Sequence, residues 1–579
     1  MISSLRREPV LALIILGFVL IALTGLFYNF GLPIVVAGEV TPIPVTLKMI
    51  NDHTLRSAYP TFIYLPVAAY AFLPFVLLGV VTLPLFGVSA GVDAIREFGI
   101  LHFGQLLPWI RLASVFYGAL AIYVLYRIAR RLFERKETAH LAAFFLATSL
   151  LVVQQAHFGK VWILQLLTII FSLLLTLKLF DEPTRRRYVF AAVGIALSFG
   201  INTIGALVYV PFVIAHALQH KGESFVRRFF MHRDFLLAHA LLLGFVFLFY
   251  YLNPYGYENY LGYVKRFFSL AATPSGLDQI VSGENTLYCG SLGLMTALTY
   301  YVQILIEYEL PMVILSLLGL VFWWRKVVEK RNQAIILGSF AFAYFFGITA
   351  ITVLGINPCQ ARYILPVVPI LALLSAATLT CAREVVGKRL SVALLIITLL
   401  AALYGPIMFD ARLMLPSTQL MTREWIFANI PDGARVVTLD ETLDLPENKA
   451  TLHDIQTYAP YFMTKKREYL LTASPLPDVG QHYYVFTPAY FRGDIPGKLV
   501  GERYDYLIVS WWDPAERRRL LGEIEQLGLP GTMERIARFP DTATDETESL
   551  PLPDEMRDPL FKLPSLAQNG PVIDVYRIR

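Results

Sequence analysis

Cysteine is scarce in this sequence. The three that occur, Cys289, Cys359 and Cys381, lack the close spacing of metal ligands, and so few thiols give no support for a zinc site or a disulfide scaffold. Charge is scarce as well: 16% of the residues are charged, whereas soluble domains contain about a quarter. Since 56% of the residues are hydrophobic, an ordinary soluble protein is excluded, and most of the chain must lie in lipid.

Other features are missing too. No internal repeat or low-complexity tract is visible, which argues against a transporter built from inverted repeats. The first apolar run, 9–30, is not followed by an A-x-A-like cleavage site, so we expect an uncleaved helix there. The net charge of +5 does not indicate a nucleic-acid partner, because Arg and Lys cluster between apolar runs, where membrane topology places them.

Apolar runs long enough to be transmembrane helices fill much of the first 409 residues. A bilayer core requires roughly 20 apolar residues per helix, with the backbone hydrogen bonds satisfied internally. This rule predicts about eleven spans, of which the fifth and sixth are short and must be tilted or abbreviated. The predicted spans are 9–30, 111–128, 139–153, 161–180, 188–200, 204–217, 235–252, 310–324, 334–354, 363–381 and 390–409.

Six basic clusters predict the orientation of these spans. By the positive-inside rule they are cytoplasmic, together with the N-terminus. The connections around Glu39, His157, 253–300 and Arg362 then face outward, as does everything after residue 409. The clusters are 6–7, 127–136, 185–187, 221–233, 325–331 and 383–389.

The apolar segment 61–88 does not fit this alternation, because a single crossing there would move the 127–136 cluster outside. It must cross twice or not at all. Its prolines, among them Pro66, Pro74 and Pro84, favour interfacial or re-entrant helices in the outer membrane boundary over a helical pair.

The composition of the sequence changes after residue 409, where charged residues become more frequent and Pro and Gly recur. Runs 434–439, 504–511 and 572–579 read as strands, and runs 422–429 and 514–527 read as helices. We predict a loop at 541–558. The predicted fold class is therefore a polytopic α-helical membrane protein with a C-terminal extracytoplasmic α/β domain. The predicted divisions are a membrane domain over 1–409, whose outer loop 31–110 holds interfacial helices, and an outer domain over 410–579.

Charged residues at a membrane boundary are functional candidates, since burying them in hydrocarbon costs several kcal/mol. The ordinary alternative is that Lys and Arg extend to the interface and that Tyr and Trp form an aromatic belt. Outward carboxylates and cations together suit sugar transfer from a lipid phosphate, in which a base deprotonates the acceptor and cations stabilise the leaving phosphate. The outward candidates are Glu39, Asp52 and His53; His157 and Lys160; Glu258, Lys265 and Arg266, with the aromatic run 251–263; and Arg362.

Several runs resemble the dolichyl-phosphate-mannose protein mannosyltransferase family of the GT-C superfamily, which includes bacterial aminoarabinose transferases. The likeness covers most of 39–409, and the tail resembles the soluble domain that many bacterial members append. The runs that carry it are RLASVFYGALAIYVLYRIARRLF (111–133), HFGKVW (157–162), ARYILPVVPILALLSA (361–376), WIFANIPDGARVV (425–437) and PVIDVYRIR (571–579).

The resemblance implies roles for individual residues. Glu39 matches the acidic residue that is the family's catalytic base, and Arg362 matches the arginine that contacts the carrier phosphate. His157 and Lys160 match a His, aromatic, small, Arg motif, with Lys in the place of Arg. Trp162 replaces an acid that usually follows that motif, and the family's Lys after the fifth span is replaced near residue 204.

The resemblance therefore implies a glycosyltransferase of the hexosyl or pentosyl class. We expect inverting transfer from a polyprenyl-phosphate donor to an extracytoplasmic protein, glycan or lipid acceptor, in the inner membrane, with no metal and no cofactor. A lipid-linked-sugar transporter or flippase, and a catalytically silent glycan-binding relative, are the alternatives. Cys289 and Cys359 could pair outside, although two free thiols are favoured. Further substrate-binding candidates are Asp52, His53, Tyr64, Trp162, Glu258, Lys265 and Arg266.

Overall fold

The structure is a computed structural model. Up to Leu413 the described chain is almost entirely helical, and beyond it a five-stranded sheet is added. The predicted fold class, a polytopic helical membrane protein with a C-terminal α/β domain, is confirmed. The described residues are 8–28, 32, 41–58, 64–88, 91–258, 294–322, 330–353, 360–385, 387–439, 441–474, 476, 480–491, 499, 503–526, 532–547, 560, 563–564 and 569–579.

Sixteen described α-helices lie between Pro9 and Leu413, and short 3₁₀ segments at Phe103–Leu106, Thr203–Val208 and Ala361–Val367 lead into α5, α10 and α15. The helices are α1 (Pro9–Leu23), α2 (Pro42–Asn51), α3 (Pro66–Thr82), α4 (Val92–Leu101), α5 (Leu107–Leu132), α6 (Lys136–Ala147), α7 (Leu150–Ala156), α8 (Trp162–Asp181), α9 (Arg185–Phe199), α10 (Tyr209–Gln219), α11 (Phe225–Phe230), α12 (Arg233–Leu252), α13 (Leu294–Phe322), α14 (Arg331–Val353), α15 (Val368–Val385) and α16 (Lys388–Leu413).

Eight helical stretches of the described residues are long and apolar enough to cross a bilayer, or nine if the bent pair α6 and α7 forms one span. The prediction of about eleven spans counted three helices that are shorter than this. The 15 residues of α1, and the 15 of α9, extend about 22 Å, against a hydrocarbon core of about 30 Å. The helical stretch Thr203–Gln219 is also short.

Two predicted spans have different boundaries in the structure. The span predicted at 139–153 is bent by 56° between α6 and α7. The span predicted at 310–324 begins earlier, at Leu294, and is interrupted at Glu309, where φ is −129° and ψ is 31°. Pro311 lies just beyond this interruption and cannot supply a backbone donor, which accounts for the kink.

Several of the predicted basic clusters lie together at one end of the helices. Lys136 is 3.2 Å from the Glu8 carboxylate before α1. Arg131 at the end of α5 forms an ion pair with Asp181 at the end of α8. Lys330, just before α14, donates to the Arg131 carbonyl at 2.8 Å. We call this end of the helices the basic face.

The opposite helix ends form a second face. Arg111, near the start of α5, is buried and donates to the Tyr28 carbonyl at 2.5 Å. His157, after α7, lies 3.0 Å from Asp410 near the end of α16. The ends that the topology prediction grouped together are therefore neighbours in the structure.

The segment 61–88 forms one helix, α3, within the described residues, so the predicted alternative of a helical pair is not observed. Near its start, Val67 donates its N–H to the carbonyl of Gly200, just after α9, at 2.9 Å. Gly79, near its end, packs closely on Trp109 in the first turn of α5. Both ends of α3 thus contact residues of the second face, and α3 is also long and apolar enough to cross, so its interfacial placement stays a prediction.

The C-terminal domain is a mixed sheet with helices. Its order is β2-β1-β3-β5-β4, in which β1 runs parallel to β2 and β3, and β5 runs antiparallel to β3 and β4. The predicted strands near 434–439, 504–511 and 572–579 and the helices near 422–429 and 514–527 are confirmed. The elements are α17 (Thr418–Asn429), β1 (Arg435–Thr438), α18 (Lys449–Tyr458), α19 (Lys465–Thr472), β2 (Tyr484–Phe486), β3 (Tyr506–Trp511), α20 (Pro514–Gln526), β4 (Met533–Phe539) and β5 (Val572–Ile578).

The C-terminal domain contacts the membrane domain at the second face. Tyr469 in α19 donates its hydroxyl to a carboxylate oxygen of Glu97 in α4 at 2.7 Å. Arg412 in the last turn of α16 donates to the carbonyls of Leu563 and Pro564, at 3.2 and 2.9 Å. The C-terminal domain therefore contacts the same end of α16 as His157.

Candidate functional site

The break between α6 and α7 positions the predicted His157 and Lys160. Ser149 begins α7 and accepts the backbone N–H of Val152 at 3.2 Å. The buried Glu309 carboxylate accepts the N–H of Leu151 at 3.0 Å and the Ser149 hydroxyl. A side-chain oxygen at a helix N-terminus satisfies unpaired backbone donors there, so Glu309 of α13 stabilises the start of a helix about 160 residues away in sequence.

His157 follows α7 and is 1% exposed. Its Nδ1 lies 2.7 Å from the Val153 carbonyl, and its Nε2 lies 3.2 Å from the Ile21 carbonyl and 3.0 Å from Asp410 Oδ1. The contact between His157 Nε2 and Asp410 Oδ1 is close but does not have the geometry of a hydrogen bond. Both ring nitrogens face oxygen acceptors, so an imidazolium would satisfy both and would pair with the carboxylate. His157 thereby joins the ends of α1, α7 and α16.

Lys160 lies in the connection between α7 and α8 and is 3% exposed. Its neighbour Gly159 packs against Ile110, and a Cβ at residue 159 would lie 2.4 Å from Ile110 Cδ1. Any larger residue at this point would therefore require the Ile110 side chain to move. The close contact holds the Lys160 backbone in the protein interior, where an ammonium group is costly unless it meets an anion or polar groups.

Arg362 approaches the start of α8 from the 3₁₀ segment before α15. Its guanidinium carbon lies 5.4 Å from the centre of the Trp162 ring and 5.6 Å from the centre of the Tyr363 ring. The two rings meet edge to face at 4.9 Å. Trp162 and Tyr363 are buried, whereas Arg362 is partly exposed. These ring contacts orient the guanidinium plane, and a planar guanidinium is a group that can bind an anion through two N–H groups.

A small cavity lies beside the Glu309 kink, between α6, α13 and α16. Its lining includes Thr148, Glu309, Pro311 and Pro406. The space suits about one water molecule. It is too small for a sugar and is not a candidate substrate pocket.

Other predicted site residues make local contacts. Asp52, at the exposed end of α2, forms an ion pair with Lys48, and this hydrogen bond holds the pKa of the Asp52 carboxyl below its usual value. His53 is exposed, and its φ of 48° ends the helix. The carbonyl of the buried Tyr64 accepts a 2.7 Å hydrogen bond from Asn253. Glu258 is exposed. The contacts described here do not join these residues to His157, Lys160 or Arg362.

Some predicted residues lie outside the described residues. They are the predicted base Glu39, the substrate-binding candidates Lys265 and Arg266, and the thiols Cys289 and Cys359. Their roles stay predictions.

Sequence reasoning did not assign roles to Asp410, Glu309 or Tyr363. Asp410 falls at the start of the predicted C-terminal domain, and Glu309 lies just before the span predicted at 310–324. An acidic residue inside an apolar run is a signal that could have identified Glu309. Tyr363 stands beside Arg362 in the run RYILPVVP, but its contact with Trp162 depends on tertiary structure.

Comparison with known proteins gives one family match. Residues 91–251 match the family model described as dolichyl-phosphate-mannose-protein mannosyltransferase. The matched residues include His157, Lys160 and Trp162 but not Arg362. The match confirms the resemblance noted in the sequence and supports glycosyltransferase activity in general terms. No curated protein matches the chain.

Some solved structures are similar in fold, at low identity. ArnT from Cupriavidus metallidurans bound to undecaprenyl phosphate has 13% identity and a TM-score of 0.46, with 97% of each chain covered. The same protein in the apo state gives 14% identity and a TM-score of 0.45, again with 97% of each chain covered. The arabinofuranosyltransferase AftD from Mycobacteria has 17% identity and a TM-score of 0.38, with 99% of this chain and 41% of that one covered.

Proposed function

We propose that this protein is an inverting membrane glycosyltransferase with a polyprenyl-phosphate sugar donor. The match of residues 91–251 to the dolichyl-phosphate-mannose-protein mannosyltransferase family model supports this proposal. One observation carries the proposal. A buried lysine, Lys160, and an aromatic-stacked arginine, Arg362, approach the same end of α8 at the second face, Lys160 from the preceding loop and Arg362 over Trp162.

These cations suit the departure of a lipid phosphate. When the bond between the sugar anomeric carbon and the phosphate oxygen breaks, negative charge grows on the phosphate. An ammonium and a guanidinium already held in place stabilise that charge more than they stabilise the ground state, which lowers the barrier. His157 as an imidazolium would add a third positive charge nearby, balanced by Asp410.

The acceptor side of the reaction requires a base. The resemblance assigns this role to Glu39, whose carboxylate would take the acceptor hydroxyl proton as the acceptor oxygen bonds to the anomeric carbon. The polyprenyl phosphate leaves with the electron pair of the broken bond. A single displacement inverts the anomeric configuration. No metal or cofactor is needed for this balance.

We place the second face and the C-terminal domain outside the cytoplasm of a bacterial inner membrane, because the opposite face carries the basic clusters. The long apolar carrier would then remain in the bilayer while its phosphate reaches Arg362, the partly exposed cation of the pair. The C-terminal domain, which contacts α4 at the same face, is positioned to limit which protein, glycan or lipid acceptors approach.

The proposal is tested by transfer of radiolabelled sugar from synthetic polyprenyl-phosphate donors to membrane extracts. The full chain in detergent is compared with Glu39→Gln and Lys160→Met, without added metal. We expect transfer by the wild type and a loss of about a hundredfold or more in each variant, the scale for removing a general base or a charge-stabilising donor.

A matched control lies at the other end of α8. Lys178, at the basic-face end of α8, is also partly buried, and Lys178→Met should retain transfer. The enzyme proposal fails if the wild type transfers no label from any donor. In that case, movement of lipid-linked sugar across vesicle membranes would favour the transporter hypothesis. Binding of carrier or glycan alone would favour a catalytically silent glycan-binding protein.

A further inference from the structure

Three histidines meet at the basic face, where α10 ends and α12 begins. His216 is in the last turn of α10, His220 follows one turn later, and His232 caps the start of α12. Their ring centres are 4.5 to 5.0 Å apart. One ligand nitrogen from each lies within 4.8 Å of the others. Tyr188, in the first turn of α9, contacts the cluster.

Two of the rings have their outer nitrogens anchored. His216 Nε2 donates to the Arg228 carbonyl at 2.8 Å, and its Nδ1 accepts the Tyr188 hydroxyl at 2.6 Å. His220 Nδ1 donates to the Glu223 carboxylate at 3.0 Å, and its Nε2 lies 3.5 Å from the same Tyr188 hydroxyl. The nitrogen lone pairs therefore point to one place, which the Tyr188 oxygen marks. Histidine ligands of metals have their second N–H held by a carbonyl or carboxylate in this way.

The third ring, His232, is the adjustable one. Its Nδ1 accepts a long 3.3 Å hydrogen bond from the backbone N–H of Phe235. Coordination through either ring nitrogen would end this bond, because Nδ1 would then hold either the metal or a proton. The loss is small, since the hydrogen bond is long and the acidic Asp234 in the first turn also stabilises the start of α12.

The loop between the helices is fixed before any ligand arrives. Arg228 donates to the carbonyls of His220 and Glu223, at 2.8 and 2.9 Å. These bonds direct the guanidinium at backbone oxygens and hold His220 and its carboxylate partner in register. His216 is fully buried, whereas His220 and His232 are partly exposed, so an ion can enter from the solvent side.

We propose that His216, His220 and His232 form a binding site for a divalent transition metal of the Zn²⁺ class at the basic face. Zinc binds imidazole at about 2.0–2.1 Å in a tetrahedron, so the three nitrogens must approach to about 3.4 Å from one another. Rotation of His220 and His232 supplies this movement. The Tyr188 hydroxyl, which lies 2.6 Å from His216 Nδ1 on the ion's side of the ring, must move aside, and either it or a water then takes the fourth position. Three imidazoles favour Zn²⁺ or Ni²⁺ over Mg²⁺, which prefers oxygen. The bound ion would link α10 to α12, apart from the transfer site.

The test is direct metal binding to the full chain in detergent, purified without a polyhistidine tag and stripped with a chelator. Calorimetric titration with Zn²⁺ should show one tight site in the wild type. His220→Asn and His232→Asn should each abolish it, and Glu223→Gln should weaken it by about tenfold to a hundredfold, as expected for loss of a group that orients a ligand.

His239→Asn is the matched control. His239 is on α12 as well and bonds to Tyr209 at 2.6 Å, but it is not part of the cluster, so this variant should bind Zn²⁺ like the wild type. Substitution with Co²⁺ gives a second readout, since a tetrahedral site produces strong visible absorption. Equal binding by the wild type and the His220→Asn, His232→Asn double variant would overturn the proposal, and so would Mg²⁺ displacing Zn²⁺ at equal concentration.

Discussion

The guanidinium of Arg362 stacks on the indole of Trp162, with 5.4 Å between the guanidinium carbon and the ring centre. The sequence resemblance places Trp162 where that family carries an acid. An acid beside Arg362 would neutralise its charge, whereas an indole packs against the guanidinium without neutralising it. The substitution is thus compatible with phosphate binding, and it makes the tryptophan a partner of the arginine.

This contact predicts the behaviour of Arg362 variants. Arg362→Gln should lower kcat/KM for the lipid donor by about a hundredfold, and Arg362→Lys should recover only part of it, because a lysine cannot stack and bind bidentately. Steady-state kinetics with the donor varied measure the change. Arg186 has a similar aromatic contact, 5.2 Å from the Phe190 ring centre, but it lies on α9 near the basic face, so Arg186→Gln should be unaffected. Equal losses in both glutamine variants would contradict a donor-binding role.

Close packing at Gly159 predicts a steric effect. Gly159→Ala places a methyl group 2.4 Å from Ile110 Cδ1, and overpacking of this kind costs about 1–3 kcal/mol of unfolding free energy. Ile110→Ala removes the clashing atoms, so the double variant should be more stable than the sum of the single losses. Thermal unfolding in detergent checks both statements. Gly244→Ala is the control, because the space around its Cβ is open and the change should not destabilise α12. If the effects of Gly159→Ala and Ile110→Ala were additive, the steric contact between the two residues would be contradicted.

Capping of α7 by Glu309 predicts a difference between two substitutions. Glu309→Leu leaves the Leu151 N–H and the Ser149 hydroxyl without their acceptor, and should cost about 1–3 kcal/mol of stability. Glu309→Gln retains an oxygen acceptor and should cost less. Because α7 leads directly into His157 and Lys160, sugar transfer should fall more in Glu309→Leu than in Glu309→Gln. If both variants transferred sugar equally well, α7 would not depend on this cap.

The C-terminal domain should lose stability in acid through Asp545. Its carboxylate accepts a 2.6 Å hydrogen bond from Arg538, which holds the pKa of Asp545 below its usual value. A depressed folded-state pKa contributes stability above the unfolded pKa of about 4 and loses it as pH falls through the folded value. Proteolysis of the full chain between pH 5 and pH 3 should show this loss. Asp545→Asn should be less stable at pH 5 and should change less on acidification; an unchanged slope would exclude the effect.

Hydropathy and charge predicted most of the membrane helices and the pairing of their ends, because span length and basic loops are local properties. The bend between α6 and α7 was not predictable, since no proline or glycine marks it. Its stabilising partner, Glu309, is far away in the sequence. The prediction of one span over 139–153 therefore followed an apolar run that tertiary contacts interrupt.

The candidate site was predicted in part. His157, Lys160 and Arg362 stood out as charges at boundaries, and the structure relates the first to Asp410 and the last to Trp162. Neither partnership has a sequence signal, because each joins elements some 200 residues apart or more. In the C-terminal domain the sequence did not predict β2, because it has only three residues. It did not predict β4 either, because the run MERIARF is rich in charge.

Strand β5 lies between β3 and β4, and β4 has β5 as its hydrogen-bonded neighbour in the sheet. During synthesis the ribosome therefore produces β3 and β4 well before the strand that joins them. Until Val572–Ile578 has emerged, both present unpaired backbone edges, which chaperones and proteases recognise. A chain interrupted between α16 and β5 would retain its membrane helices but would lack the strand that joins β3 to β4, so the cell has a structural basis for removing such incomplete copies.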